Sequence, residues 1–302
     1  MKVTKIHHLN CISTCPLGGR LFDARTPSVF ERGCLTCHCL LLETEGSRLV
    51  LVDTGLGLED VKDPQSRLSN LFLVLVSPDF REDLTAIRQI ESLGLDPRNV
   101  SDIVLSHCDF DHCGGLDDFP WATVHMMASE RESAEAQISW LDRQRYRPQQ
   151  WNHRERWKTY KAEGNSQWFG FNAIQVPDLG EDILMIPLIG HTLGHCGIAV
   201  RDRIDQQWKL LAGDAYFFHR EMEHRDPYCT PGLRFYQRMM EKDRESRWKN
   251  QDRLRELAKN NVNEVRVFCS HDLTEFERLT SGEGSAGVPI HLREEEKSPA
   301  ET

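Results

Sequence analysis

Ser106-His107-Cys108-Asp109-Phe110-Asp111-His112-Cys113-Gly114-Gly115 follows directly on the apolar run Ile103-Val104-Leu105. The run reads as a short buried strand, Asp102 to Leu105, and the stretch after it is too rich in Gly, Asp and His to continue one. Side chains two apart on an extended segment point the same way, so His107 and Asp109 can close on one ion while Asp111 and His112 turn toward a second. Four nitrogen and oxygen donors within the six residues 107–112 suit a dinuclear centre. Such a centre needs more ligands, and three later segments that each follow an apolar run offer them: Gly190-His191-Thr192-Leu193-Gly194-His195, Gly213-Asp214-Ala215 and Ser270-His271-Asp272. Ligands at strand ends converge on one edge of a sheet, where α/β folds put their sites.

The whole chain is consistent with a soluble enzyme. Its 302 residues allow two domains or one elaborated one, and 39% hydrophobic with 28% charged residues excludes a disordered chain. The unbroken apolar run Leu71 to Val76 is six residues long, far below the roughly 18 that a membrane span needs. Met1 to His8 holds no apolar segment before a cleavage site, so the expected address is the cytoplasm. With 37 basic against 47 acidic side chains the net charge is −10, which opposes phosphate backbones and anionic membranes; neither nucleic acid nor membrane is an expected partner. The ten cysteines read as reduced thiols. Histidine is the commonest metal ligand, and thirteen histidines turn attention to their arrangement.

Outward from the 106–115 stretch, Leu35 to Leu42 and Arg48 to Val52 flank the turn at Glu45-Gly46-Ser47 and predict a hairpin ending in Asp53-Thr54-Gly55. Leu84, Ile87, Ile90 and Leu93 form one stripe of a helix that Gly94 ends. Trp121 to Met127 reads as a strand, and Ser129 with Glu132 as a capping box for the next helix. From about 138 to 171, aromatic residues interleave with Arg, Gln and Asn, which predicts an irregular insertion serving as a lid over an apolar substrate or as a homodimer contact. Strands return at Ala173 to Val176, Asp182 to Leu188, Cys196 to Val200, Trp208 to Ala212 and Glu264 to Cys269, with a charged helical stretch from Leu233 to Asn260. Ligands spaced from His107 to His271 require both halves to meet in one unit. Residues 1–280 are therefore expected to form one domain with insertions at 138–171 and 216–260, and 281–302 a mobile tail.

The chain resembles the metallo-β-lactamase superfamily of dinuclear metallohydrolases from about Cys34 to Asp272, closest in plan to its acyl-homoserine lactonase-like members. The family's elements occur here in order: Val52-Asp53-Thr54-Gly55, the 107–112 run, Gly190 to His195, Asp214 and His271. The resemblance implies an αββα four-layer sandwich. It also implies one metal on His107, Asp109 and His191, a second on Asp111, His112 and His271, and Asp214 bridging them. Asp53 is expected to order the loop beneath the metals, and His195 to stand behind the ligands rather than among them.

One position departs from the pattern, because the family's second histidine is Asp109 here, giving His-x-Asp-x-Asp-His. Two divalent ions, three carboxylates and a bridging hydroxide sum to zero, which predicts a less electrophilic centre; zinc is the expected ion, with iron or manganese the alternatives because a harder oxygen ligand moves preference toward them. A variant with a weakened first site would hold only the second metal tightly. The resemblance implies a hydrolase that opens an ester or lactone bond with a metal-bridging hydroxide, Asp111 passing a proton to the leaving group and Tyr216 hydrogen bonding a carbonyl oxygen. The substrate is expected to be a small molecule with some apolar character. Rival readings are a di-iron oxidoreductase related to the flavodiiron metallo-domain, and hydrolysis of thioesters or phosphodiesters. No ligand position has turned apolar, which disfavours a non-enzymatic binding module. Cys34-x-x-Cys37-His38-Cys39 reads as a buried strand, with His38 the member that would reach the cleft.

Overall fold

Strand β1 (Val3–Asn10) pairs antiparallel with β2 (His38–Thr44), which turns through Gly46 and Ser47 into β3 (Leu49–Val52). Strands β4 (Val100–Val104), β5 (Thr123–Met127) and β6 (Trp157–Tyr160) add in parallel, completing a six-stranded sheet in sequential order. A second six-stranded sheet runs as an antiparallel meander through β7 (Ser166–Trp168), β8 (Phe171–Gln175), β9 (Ile183–Pro187), β10 (Cys196–Arg201) and β11 (Trp208–Leu211). It closes with β12 (Val265–Phe268), parallel to β11. The computed structural model describes residues 1–152 and 156–281, so all but the first residue of the tail expected at 281–302 lies outside the described residues.

The strands are apolar on both faces, and both faces are covered. Leu40, Leu42, Val50, Val52 and Val104 of the first sheet pack against Ile183, Met185, Ile198, Leu211 and Phe268 of the second. Outside the first sheet, Leu41, Leu51, Ile103 and Val124 meet Ala86 and Ile90 of the helix Ala86–Ser92. Outside the second, Ile186, Ala199 and Leu210 meet Leu254 and Leu257 of the helix Arg244–Asn260. These are the four αββα layers. Each fully buried Leu, Ile or Val contributes ~1.5–3 kcal/mol, so the inter-sheet layer fixes how the two strand edges face each other. Parallel neighbours end at the same edge: Asp53 and Ser106 follow β3 and β4, and Asp214 and His271 follow β11 and β12.

The aromatic stretch is structured where an irregular insertion was expected. Ser139 caps the helix Trp140–Arg145 through the Asp142 amide, and β6 and β7 are edge strands of the two sheets. The sheets supply pairing partners that local sequence does not display. The helix after β5, Ala128–Ala136, starts with no side-chain cap, and Ser129 donates instead to the Leu193 carbonyl. The charged stretch is two helices, Pro231–Met240 and Arg244–Asn260, broken where the Lys242 and Asp243 amides turn to the Gly190 carbonyl and Asp243 caps the second.

Gly190, at φ +150°, lies so close to that second helix that a Cβ would stand 2.5 Å from Arg247 Cα. The Gly190→Ala variant is expected to lose about 2 kcal/mol or more, read as a lowered midpoint in thermal unfolding.

Candidate metal centre

Asp53 is the frame of the site. It sits at φ +53°, and its Oδ1 accepts from the Ser106 amide at 2.7 Å while Oδ2 accepts from the Ser106 hydroxyl at 2.7 Å. His112 Nδ1 donates to the same Oδ2 at 2.9 Å, so the loop after β3 fixes both ends of the loop after β4. Glu130 ties the next pair of loops together. Buried in the helix after β5, it accepts from the Cys108 amide, the Thr192 hydroxyl and the Gly194 amide. His195 accepts from the Asp214 amide on Nε2 at 2.9 Å and meets the Leu188 carbonyl with Nδ1, so it orients a ligand loop and offers no free nitrogen.

These contacts set the tautomers. His112 spends its Nδ1 proton on Asp53, and His271 gives its own to the Thr36 carbonyl at 2.7 Å. His107 Nδ1 meets the Ser106 hydroxyl at 3.0 Å, which already donates to Asp53. Each Nε2 is left with its lone pair facing the cleft, the arrangement a metal-binding imidazole needs.

Three overlapping donor groups result: His107, Asp109, His191 and Asp214 form the first, His112, Asp214 and His271 the second, and Cys37, Asp111 and His271 a third that shares His271 with the second. In the first, Asp109 Oδ2 stands 3.5 Å from His107 Nε2 and 3.0 Å from His191 Nε2, and Asp214 Oδ2 3.8 and 3.4 Å from the same nitrogens. In the second, Asp214 Oδ1 stands 3.3 Å from His112 Nε2 and 3.1 Å from His271 Nε2, with Asp111 Oδ2 3.8 Å from His271. Four ligands at about 2.0–2.1 Å around one ion stand about 3.3 Å apart, so the spacings suit a tetrahedral cation. His107 Nε2 and Asp214 Oδ1 are buried with no hydrogen bond, as atoms reserved for a metal would be. Burial alone would raise the Asp214 carboxyl, but His271 and His112 hold it well below the usual range. Asp111 is raised by burial despite the same two imidazoles.

The structure brings together all seven ligand positions read from the sequence, and it adds an unforeseen cation. Arg145 is 0% exposed and forks onto Asp109, Nε to Oδ1 and Nη2 to Oδ2, both at 2.6 Å. Burial opposes ionisation of Asp109, yet Arg145 and His107 keep it well below the ordinary carboxylate range. The signal for Arg145 was Asp109 itself, since a third buried carboxylate calls for a cation somewhere in the chain.

Three other expectations need correction. Tyr216 does not reach the cleft: it is fully buried against the outer face of the second sheet, and its hydroxyl donates to Glu275 at 3.0 Å. The next residue, Phe217, takes the cleft wall and stacks on His271 at 5.1 Å. His38 turns the other way along β2 and meets His8 at 2.8 Å, leaving Cys37, just before the strand, beside Asp111 and His271. The tyrosine that reaches the site is Tyr236, on the Leu233-Tyr236-Met240 stripe of the helix Pro231–Met240. No described residue of 138–171 lines the apolar cavity beside Asp111 and His271, where a lid was one expectation; the segment contributes Arg145 and edge strands.

An αββα sandwich with a His- and Asp-rich cation site at its strand ends defines a metallohydrolase. The family model of the metallo-beta-lactamase superfamily matches residues 32–271, and the chain belongs to that superfamily. A probable metallo-hydrolase of Mycobacterium tuberculosis is 36% identical over 272 residues, 89% of this chain and 80% of that protein. An N-acyl homoserine lactonase of Azorhizobium caulinodans is 34% identical over 84 residues, 28% of this chain and 32% of that protein. Among solved structures, an N-acyl homoserine lactone hydrolase with N-hexanoyl-L-homoserine bound at its catalytic metal centre aligns at a TM-score of 0.66. That pair is 21% identical, over 92% of this chain and 97% of the other.

Asp53→Asn tests the frame. An amide nitrogen facing His112 would reverse the tautomer and put a proton on the metal-facing Nε2, so zinc affinity is expected to fall about 10- to 100-fold in competition with a chromophoric chelator. Glu275 gives a pH prediction. Burial and Asp272 push it from an ordinary value of 4.5 up to about 8, so the folded chain keeps a proton that the unfolded chain has released. Stability from this group is present at low pH and lost as pH rises through that window. The thermal midpoint of Glu275→Gln is expected to decline less between pH 5 and 8 than that of the wild type.

Proposed function

We propose that this metallo-hydrolase opens lactones or esters that carry an apolar tail, with N-acyl homoserine lactones as the representative class. The observation that carries the reading is a cavity of about 290 Å³ walled by Leu17, Leu75, Phe217, Leu233 and Met239, with Asp111 and His271 at one side. A site for a phosphodiester would place cations along this wall, and the residues that line it are apolar except for Thr14, Tyr236, Asp111 and His271. The lactonase relatives cover only part of this chain and support the reading by analogy.

Bound divalent ions would supply the Lewis acidity that activates water at neutral pH. The donor sets, imidazole with carboxylate, favour zinc as the proposed ion. The chain's own residues supply the remainder. The apolar wall holds the tail and excludes water from one side of the scissile bond. Asp111, at the junction of cavity and donor groups, is placed to pass a proton from the attacking water to the departing alkoxide. The Tyr236 hydroxyl, which burial and the nearby Asp111 keep protonated, is placed to donate to a substrate carbonyl. Asp109 carries no argument for iron in this reading, since Arg145 takes its charge.

Each methylene buried is worth ~0.8 kcal/mol, so kcat/KM on the zinc-loaded enzyme is expected to rise about three- to fourfold per added tail carbon from butanoyl to octanoyl homoserine lactone. Tyr236→Phe is expected to lower kcat/KM about tenfold while the fold is unchanged. Turnover of phosphodiesters or thioesters with no lactone or ester turnover in the same panel contradicts the reading.

A further inference from the structure

We propose that Arg145 is a resident cation of the centre that keeps the first donor group from binding an ion tightly, so that the chain carries one firmly held metal ion, on Asp111, His112, Asp214 and His271. The inference rests on the metallo-hydrolase reading of the site.

The first group has the right donors, but its atoms are in use. The Arg145 Nη2 that donates to Asp109 Oδ2 at 2.6 Å also reaches His191 Nε2 at 2.8 Å. A carboxylate oxygen has two lone pairs and can serve a guanidinium and a metal together. An imidazole nitrogen has one, and the hydrogen bond from Nη2 uses it. An ion entering this group must break that bond and lie a few ångströms from a guanidinium that does not deprotonate. Arg145 has no easy alternative position: it is 0% exposed, and Nη1 is tied to the Met240 carbonyl at 2.8 Å. The second group has no such competitor. The His112 and His271 nitrogens and Asp214 Oδ1 face one another at 3.1–3.4 Å, and the Nδ1 protons are directed away to Asp53 and Thr36.

The test is a Zn(II) titration of the chelator-stripped full-length chain, followed by native mass spectrometry and elemental analysis. One equivalent is expected to bind tightly and a second at least about a hundredfold more weakly, because admitting it breaks the hydrogen bond from Arg145 to His191 and sets the ion beside a buried guanidinium. His271→Ala is expected to abolish the tight equivalent and His191→Ala to retain it. Arg145→Met is expected to bring the two affinities within about tenfold. Two equivalents bound with equal affinity by the wild type overturn the proposal and leave the metallo-hydrolase reading standing. A chain that binds no zinc overturns both. Should Arg145→Met fail to fold, the wild-type count and the two histidine variants still decide.

Discussion

Charge that has been taken out of water must be answered, and that constraint shapes the centre of this protein. Asp109, Asp111 and Asp214 are buried at one edge with four imidazoles, and none is more than 7% exposed. Buried carboxylates in such proximity are tolerable only with cations and directed hydrogen bonds around them. The frame supplies the hydrogen bonds: Asp53 holds Ser106 and His112, Glu130 holds Cys108 and Thr192, and Thr36 holds His271. The parallel pairs β3–β4 and β11–β12 bring these loops to a common edge, and the packing between the sheets holds the two halves of the site in register.

Asp109 and Arg145 act as one unit in this balance. The sequence alone predicts an electrically neutral and less electrophilic centre, because a carboxylate replaces an imidazole. The buried guanidinium cancels that carboxylate, so the pair carries the net charge of a neutral histidine. The departure from the family pattern therefore leaves the overall charge as it would be with histidine at that position. What changes is which donor atoms are free to meet an ion.

The parts of the fold legible in the sequence are those whose signal is local. Apolar runs ending in His, Asp and Gly located the strand ends, and the structure brings the His and Asp residues at those ends together. Asp53 and His195 stand behind the donor groups, holding Ser106, His112 and the Asp214 amide. The unread parts depend on partners distant in sequence. Strand β1 carries Lys5, His7 and His8 in place of a clean alternation, and it becomes a strand by pairing with β2. Strands β6 and β7 are short edge strands. Arg145 is one of many arginines in an aromatic stretch, and only folding brings it to Asp109, 36 positions away. Tyr216 was misplaced because strand alternation beyond Asp214 could not be phased from spacing, and Phe217 holds the wall instead.

If the cluster of buried carboxylates and imidazoles is built around bound metal, removing the ion must cost stability. Thermal unfolding of the full-length chain with and without a strong chelator tests it most directly, since an ion that binds only the folded state stabilises it by mass action. The midpoint is expected to fall by several degrees on metal removal and to return when zinc is added back. A midpoint unmoved by chelation and by zinc would contradict it.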